Sequence, residues 1–333
     1  MTSKQGTVIE EIKSLDFNND NLPDLMVFFE ISSPVIFLQQ KDTPPTGSQP
    51  AGPVTPTKNA KFQDVTTENQ SLKGLLDKLS PVQVSYGNID KNDGAELFIC
   101  RNNFARSFSW QNGNKLEIID QYNGKSSEAN IQTAITADLN NDKVPEIILY
   151  DSNSKQLSIL QKTESKPYEI VENIDVGNFP MKQIFLRDLN GDGTDDLLLF
   201  GQDHFGILYA GMSDPQFEPL AGYITTIKRG VYTKFAVGDL NSDGIKDIAV
   251  VEGKRHNLEI LSLDANNELK QELTFQIFED PEVDLLDEEK DDNRWRNLPT
   301  IEPREIRIVD VNNDKKPDIV LLAHRNLLIY LQE

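Results

Sequence analysis

One arrangement of side chains recurs along the sequence and could do chemistry. Asp16, Asn18, Asp20 and Asp24 stand at positions 1, 3, 5 and 9 of a short segment whose position 7 is Leu22. The spacing returns in Asp138, Asn140, Asp142, Val144 and Glu146, and again in Asp188, Asn190, Asp192, Thr194 and Asp196. Two further copies are Asp239, Asn241, Asp243, Ile245 and Asp247, and Asp310, Asn312, Asp314, Lys316 and Asp318. Oxygen donors at alternate places in a tight loop can wrap one hard cation. Ca2+ takes about six to eight oxygens at about 2.3–2.6 Å in a flexible shell. Positions 1, 3 and 5 would give one side-chain oxygen each, position 7 its main-chain carbonyl, and position 9 one or two carboxylate oxygens. Asn21, Gly193 and Gly244 at position 6 suit the positive φ that such a turn requires, and Lys143 and Lys315 suit it less.

A sixth copy, Asn88-Ile-Asp90-Lys-Asn92-Asp93-Gly94-Ala-Glu96, keeps the length but begins with less charge and moves its Asp-Gly pair by one residue. The expectation is therefore about five Ca2+ ions per chain, with the copy at Asn88 vacant or distorted. An EF-hand does not fit, because it needs Glu at position 12 and flanking helices. Position 12 is Val27, Leu149, Leu199, Val250 or Leu321, each within an apolar run. For a single copy, a turn closed by its own Asx side chains is an equal alternative. Five copies in one frame favour the metal.

The elements that must hold these loops follow from the same repeat. The copies start at 16, 88, 138, 188, 239 and 310, so the period is near 50. Two intervals are longer by some 21 residues. The extra length falls in residues 40–60, rich in Pro, Thr and Gly, and in the acidic residues 278–300. Each loop runs directly into four apolar residues, as in Leu197–Phe200 or Ile248–Val251. Such runs suit strands buried on both faces. Three further weak strands fill each period, and the only helical candidate is Ser71–Leu79. Four short strands per repeat predict an all-β chain: a single β-propeller domain over residues 1–333, with about six and at most seven four-stranded blades. With six, the closing blade draws on both chain ends.

The loop Asp-x-Asn-x-Asp-Gly-x-x-Asp, followed by an apolar strand and repeated near every 50 residues, resembles the FG-GAP/VCBS repeats of integrin-α-like propellers, in the looser bacterial form. Phe235-Ala236 is the nearest echo of the Phe-Gly signature. The resemblance implies structural calcium and a propeller that serves as a binding or adhesion module.

Composition sets limits on partners. With 33 Lys plus Arg against 54 Asp plus Glu, the formal charge is −21, which disfavours nucleic acid and anionic membrane surfaces. No apolar stretch approaches the roughly 18 residues needed to cross a bilayer. The single cysteine, Cys100, excludes a disulfide framework and is read as a buried thiol at a strand position. Trp110 is read as packing between blades, and Trp295, between two arginines in the acidic insert, as a candidate partner contact. His204, His256 and His324 fall at similar places in their repeats and are read as turn residues. No catalytic constellation is singled out. The functional expectation is a non-catalytic module for a protein or glycan ligand, within a larger polypeptide or assembly; the alternative is a propeller of a carbohydrate-active enzyme such as a polysaccharide lyase. Loops of this kind are weak calcium sites that extracellular calcium fills, so the expected location is extracellular, cell-surface or periplasmic.

Overall fold

The computed structural model describes residues 8–41, 60–67, 69–89, 94–111, 115–163, 166–177, 179, 181–210, 221–278 and 302–332. They form six antiparallel sheets, each a simple meander. The first holds β1 (Ile9–Leu15), β2 (Asp24–Phe29), β3 (Val35–Gln40) and β4 (Lys61–Asp64). A six-residue helix, α1 (Gln70–Leu75), leads to β5 (Val84–Gly87), β6 (Glu96–Arg101), β7 (Phe104–Gln111) and β8 (Lys115–Asn123). The third sheet holds β9 (Ile131–Ala137), β10 (Glu146–Asp151), β11 (Gln156–Thr163) and β12 (Lys166–Asp175). The fourth holds β13 (Met181–Arg187), β14 (Asp196–Gly201), β15 (His204–Leu208) and β16 (Ala221–Ile224). The fifth holds β17 (Tyr232–Gly238), β18 (Asp247–Glu252), β19 (Asn257–Leu263) and β20 (Leu269–Gln276). The sixth has three strands among the described residues: β21 (Glu305–Val309), β22 (Asp318–Ala323) and β23 (Asn326–Tyr330). Six such blades make the fold a β-propeller. The expected contribution of the N-terminus to the closing blade falls on residues 1–7, outside the described ones.

The chain divides into two compact units, Met1–Ala137 with Val144–Gly177, and Asp138–Lys143 with Asn178–Glu333. Within each, apolar residues gather between neighbouring sheets. In the second unit Ile248 and Val250 join Leu198, Phe200 and Phe205 on one side of β18. Ala249 and Val251 join Ile306, Ile319 and Leu321 on the other. Alternate residues of a strand point to opposite faces, so a strand covered on both sides must be apolar throughout. That is why four consecutive apolar residues follow every loop. In the first unit β6 does the same: Leu97 and Ile99 meet the first blade's Met26 and Phe28, while Phe98 and Cys100 meet the third blade's Ile147 and Leu149. Cys100 is buried, and burial pushes its thiol pKa far up, as expected of an inert thiol. Trp110 packs against the first-unit core with its ring 6.3 Å from Phe17.

Adjacent blades approach closely. A Cβ on Gly238 would stand 2.6 Å from Ile308 Cγ2 of the next blade. The Lys13 ammonium crosses from β1 to donate to the carbonyls of Pro81 (2.7 Å) and Val84 (2.6 Å) beside the second blade. The insert at 40–60 separates β3 from β4, and that at 278–300 separates β20 from β21; residues 42–59 and 279–301, with Trp295, lie outside the described residues.

Candidate metal centre

Each Asp/Asn loop joins the first strand of a blade to the second. Its position 9 is the first residue of the second strand. The first loop shows the local chemistry. Asp16 Oδ1 and Asn18 Oδ1 both accept the Asp20 N–H, each at 3.1 Å. Asp16 Oδ2 accepts from Asn21 N at 2.7 Å, and Asp20 Oδ1 from Leu22 N at 2.9 Å. The frame repeats. In all five regular loops the position-1 carboxylate accepts the N–H of position 6 at 2.7–3.0 Å. The position-3 amide oxygen accepts the N–H of position 5 at 2.9–3.1 Å. So side-chain oxygens of positions 1, 3 and 5 turn inward on the same few backbone groups.

The backbone needed for this is left-handed at two places. Position 6 has φ of 65° at Asn21, 66° at Lys143, 88° at Gly193, 93° at Gly244 and 72° at Lys315. Lys143 and Lys315 adopt it as the other three do. Position 4 is also positive, at Asn19 (57°), Asn141 (61°), Gly191 (76°), Ser242 (62°) and Asn313 (61°). The sequence offered a signal for the second site, since Asn, Gly and Ser dominate position 4.

Position 9 is a different kind of group. Asp24 and its counterparts Glu146, Asp196, Asp247 and Asp318 are buried, at 0–2% exposure. Asp24 Oδ2 accepts the N–H of Phe17 at 2.9 Å, and its Oδ1 accepts that of Gln39 at 2.8 Å. Asp196 holds Leu189 N at 3.0 Å and Ala210 N at 3.1 Å; Asp318 holds Val311 N and Gln332 N, both at 3.0 Å. Asp247 takes Leu240 N at 2.8 Å and the Ser262 hydroxyl. This carboxylate ties the loop's second residue to the end of the third strand. In the irregular copy Glu96 is buried and accepts the Ile89 N–H at 2.9 Å, so it keeps the same place. Residues 90–93, on which the expected distortion turns, lie outside the described residues.

Electrostatics at position 9 reflect crowding. Burial raises the Asp196 pKa to about 6; hydrogen bonds from Leu189 and Ala210 oppose the rise, and the Asp192 and Asp188 charges add to it. Burial likewise raises Asp24 and Asp247 against the same kind of hydrogen bonds, each with two loop aspartates adding to the rise. Among the described residues no three His, Cys, Asp or Glu side chains gather as a metal cluster by themselves. A cation here would need Asn oxygen, a main-chain carbonyl and water as well. Those all-oxygen donors fit a hard ion.

Neighbouring loops touch. Asn141 Nδ2 donates to Thr194 Oγ1 at 3.1 Å, and Lys246 N donates to Leu189 O at 3.0 Å. A Cβ on Gly191 would lie 3.1 Å from Gly244 O, so position 4 of one loop rests on position 6 of the next.

At the opposite end, the third and fifth blades carry acidic residues that the spacing argument missed. Asp151 accepts the N–H groups of Asn130 (2.8 Å) and Asn153 (3.0 Å). Glu252 accepts those of Val231 (2.9 Å), Lys254 (2.9 Å) and Arg255 (2.8 Å). Each is the last residue of a second strand before a four-residue turn, which is a readable signal. The three histidines lie between second and third strands of the fourth, fifth and sixth blades: His256 and His324 in the turns, as expected, and His204 one step on, as the first residue of β15. His204 meets Asp203 at 2.6 Å and packs on Phe179. His256 and His324 both pack on Phe278.

A family model described as FG-GAP-like repeat matches residues 188–250, which span the third and fourth regular loops with the blade between them. The chain is a β-propeller carrying an FG-GAP-like repeat. Among solved structures, an Agrocybe aegerita lectin that recognises non-reducing terminal N-acetylglucosamine superposes on this propeller with a TM-score of 0.54 at 13% identity, covering 98% of this chain and 77% of that one. BBS1N in complex with ARL6DN, soaked with lead, gives a TM-score of 0.50 at 10% identity over 96% of this chain and 78% of that one. Identities this low carry the fold alone. No curated protein matches the propeller. Among the described residues no helix is long and apolar enough to cross a membrane.

Proposed function

We propose that this propeller is a calcium-stabilised binding module, non-catalytic, that presents a protein or glycan ligand with a rigid surface. The observation that carries the reading is the fivefold repetition of one oxygen-rich loop frame, with the same inward hydrogen bonds in each copy. Five loops that keep negative charge at matched places crowd carboxylates at one end of the blades. A divalent ion in each would offset that repulsion and replace the weak Asx-turn bonds with stronger ones. The ligands would be the oxygens of positions 1, 3 and 5, the position-7 carbonyl and water. The buried position-9 carboxylate would brace the loop from behind and lend a lone pair where geometry allows. The lectin and the ARL6DN complex support a ligand-presenting role in that a glycan and a protein are bound by chains of this fold.

Weak sites of this kind fill at extracellular calcium levels, so the reading places the chain at the cell surface, outside the cell or in the periplasm. The test has two arms. Chelation should lower the unfolding midpoint and added Ca2+ restore it. An array of glycans and candidate proteins should show capture that survives denaturation controls. A midpoint indifferent to both chelator and Ca2+ removes the calcium part, and an array with no capture removes the binding part. A native gene without an export signal, with the protein in the cytosol, removes the location.

A further inference from the structure

The end of the second unit opposite its loops is built from the turns 202–203, 253–256 and 324–325 and from the connections 225–231 and 302–304. Lys228, Arg229, Lys254, Arg255, Arg304 and Arg325 stand there, all exposed except half-buried Lys254. The described carboxylates at this end cancel them only in part. Glu252 is fully buried and spent on three backbone N–H groups. Glu302 is buried, ion-paired with Arg304 at 2.7 Å, and accepts the His324 N–H at 2.8 Å. Glu305 pairs with Arg307 at 2.9 Å, and Asp203 Oδ1 lies 2.6 Å from His204 Nδ1. A cationic face therefore sits on a chain whose net charge is −21. Phe278, with His256 stacked at 4.3 Å and His324 at 5.2 Å, adds an aromatic group between the turns of two blades.

We propose that this turn end of the second unit is a docking surface for an acidic polypeptide segment. The proposal deepens the reading of a protein-binding module and rests on it. Beside the paired Arg304 stand three further arginines, Arg229, Arg255 and Arg325, whose planar forks engage carboxylates two oxygens at a time. The cations are spread over several turns rather than packed in a stripe, and Asp203 stands among them. That spacing suits carboxylates strung along an extended peptide better than the dense charge of a sulfated glycan or nucleic acid. The sequence itself joins an acidic run to this face: residues 279–292 carry nine Asp or Glu and leave it at Phe278, to return at Glu302.

The experiment uses the full chain in Ca2+ buffer and a labelled peptide of alternating Glu and Ser, followed by fluorescence anisotropy. The peptide should bind, its Gln counterpart should not, and raising salt from about 50 to about 200 mM should weaken it. Arg255→Glu with Arg325→Glu should lower affinity roughly tenfold or more, whereas Lys115→Glu in the first unit should leave it unchanged. A second variant replaces the nine acidic residues of 279–292 with Gln or Asn. Peptide binding to this variant, alone or with the wild-type chain, supports the surface, because the chain's own acidic run would compete. Absence of binding to both overturns it. Tighter binding of heparin, lost with the same arginines, overturns the choice of a peptide. If both chains keep their calcium-dependent midpoint and the wild type captures array ligands, yet neither binds the peptide, this surface is refuted and the binding module stands.

Discussion

Replacing Asp24 by alanine separates the two jobs that carboxylates perform in these loops. Asp24 is fully buried, and its two oxygens accept the N–H groups of Phe17 at 2.9 Å and Gln39 at 2.8 Å. Alanine leaves the buried Phe17 N–H and the half-buried Gln39 N–H without partners, the first costing about 1–3 kcal/mol and the second less. The gain is that an acidic group no longer has to be desolvated; burial raises the Asp24 pKa, so this offset is real. A net loss of roughly 2–4 kcal/mol follows, in the range of a broken buried network. Because the donors are there with or without metal, the loss should persist in chelator. Asp243→Ala is the contrast. Asp243 is exposed and accepts one backbone N–H, from Ile245 at 2.8 Å, so it should cost under about 1 kcal/mol in chelator and clearly more in Ca2+. Urea unfolding of both variants in the two buffers gives the four numbers. If the Asp24→Ala loss vanishes on chelation, or stays below about 1 kcal/mol throughout, position 9 is chiefly a metal ligand and the bracing argument is wrong.

Metal analysis of dialysed protein should give about five Ca2+ per chain, and Mg2+ should stabilise far less because it demands a tighter octahedron; two or three ions would point to weakness in the loops bearing Lys143 and Lys315. Gly238→Ala should destabilise by roughly 1–3 kcal/mol, since the new methyl would meet Ile308 at 2.6 Å, and a neutral result in thermal melts would mean the blades separate easily. Glu259 is buried among the hydroxyls of Tyr232 and Thr225, and burial raises its pKa. Its acid form is favoured by the fold, so stability is fullest below the usual carboxylate range and falls as pH rises through the raised pKa. Glu259→Gln should flatten that part of the stability–pH curve and be neutral or stabilising at pH 7; an unchanged curve would show that Glu259 does not contribute to it.

The loops and the strands behind them were legible for a physical reason. A strand covered on both faces cannot hide its composition, and Ile248–Val251 reads as buried before any fold is known. A tight loop likewise fixes its donor spacing. What could not be read was the division of labour within the loop. Sequence shows a carboxylate at position 9 but not that Asp24 reaches Gln39, fifteen residues on, because that contact depends on how the third strand returns. Positive φ at Lys143 and Lys315 was similarly hidden: residue preference argued against it, yet Asp138 and Asp310 each accept the lysine's own N–H at 2.9 Å and hold the turn.

The turn end was hidden for another reason. Its cations come from turns and connections spread over residues 228–325, with no local run to mark them, inside a composition that is strongly acidic. Only the antiparallel course of the strands brings them to one end, because second-to-third-strand turns and the links between blades always fall opposite the Asp/Asn loops. The same topology that gathers carboxylates at one end of the second unit therefore gathers arginines at the other. Net charge describes neither end, so a −21 chain can still hold a surface fit for an acidic partner.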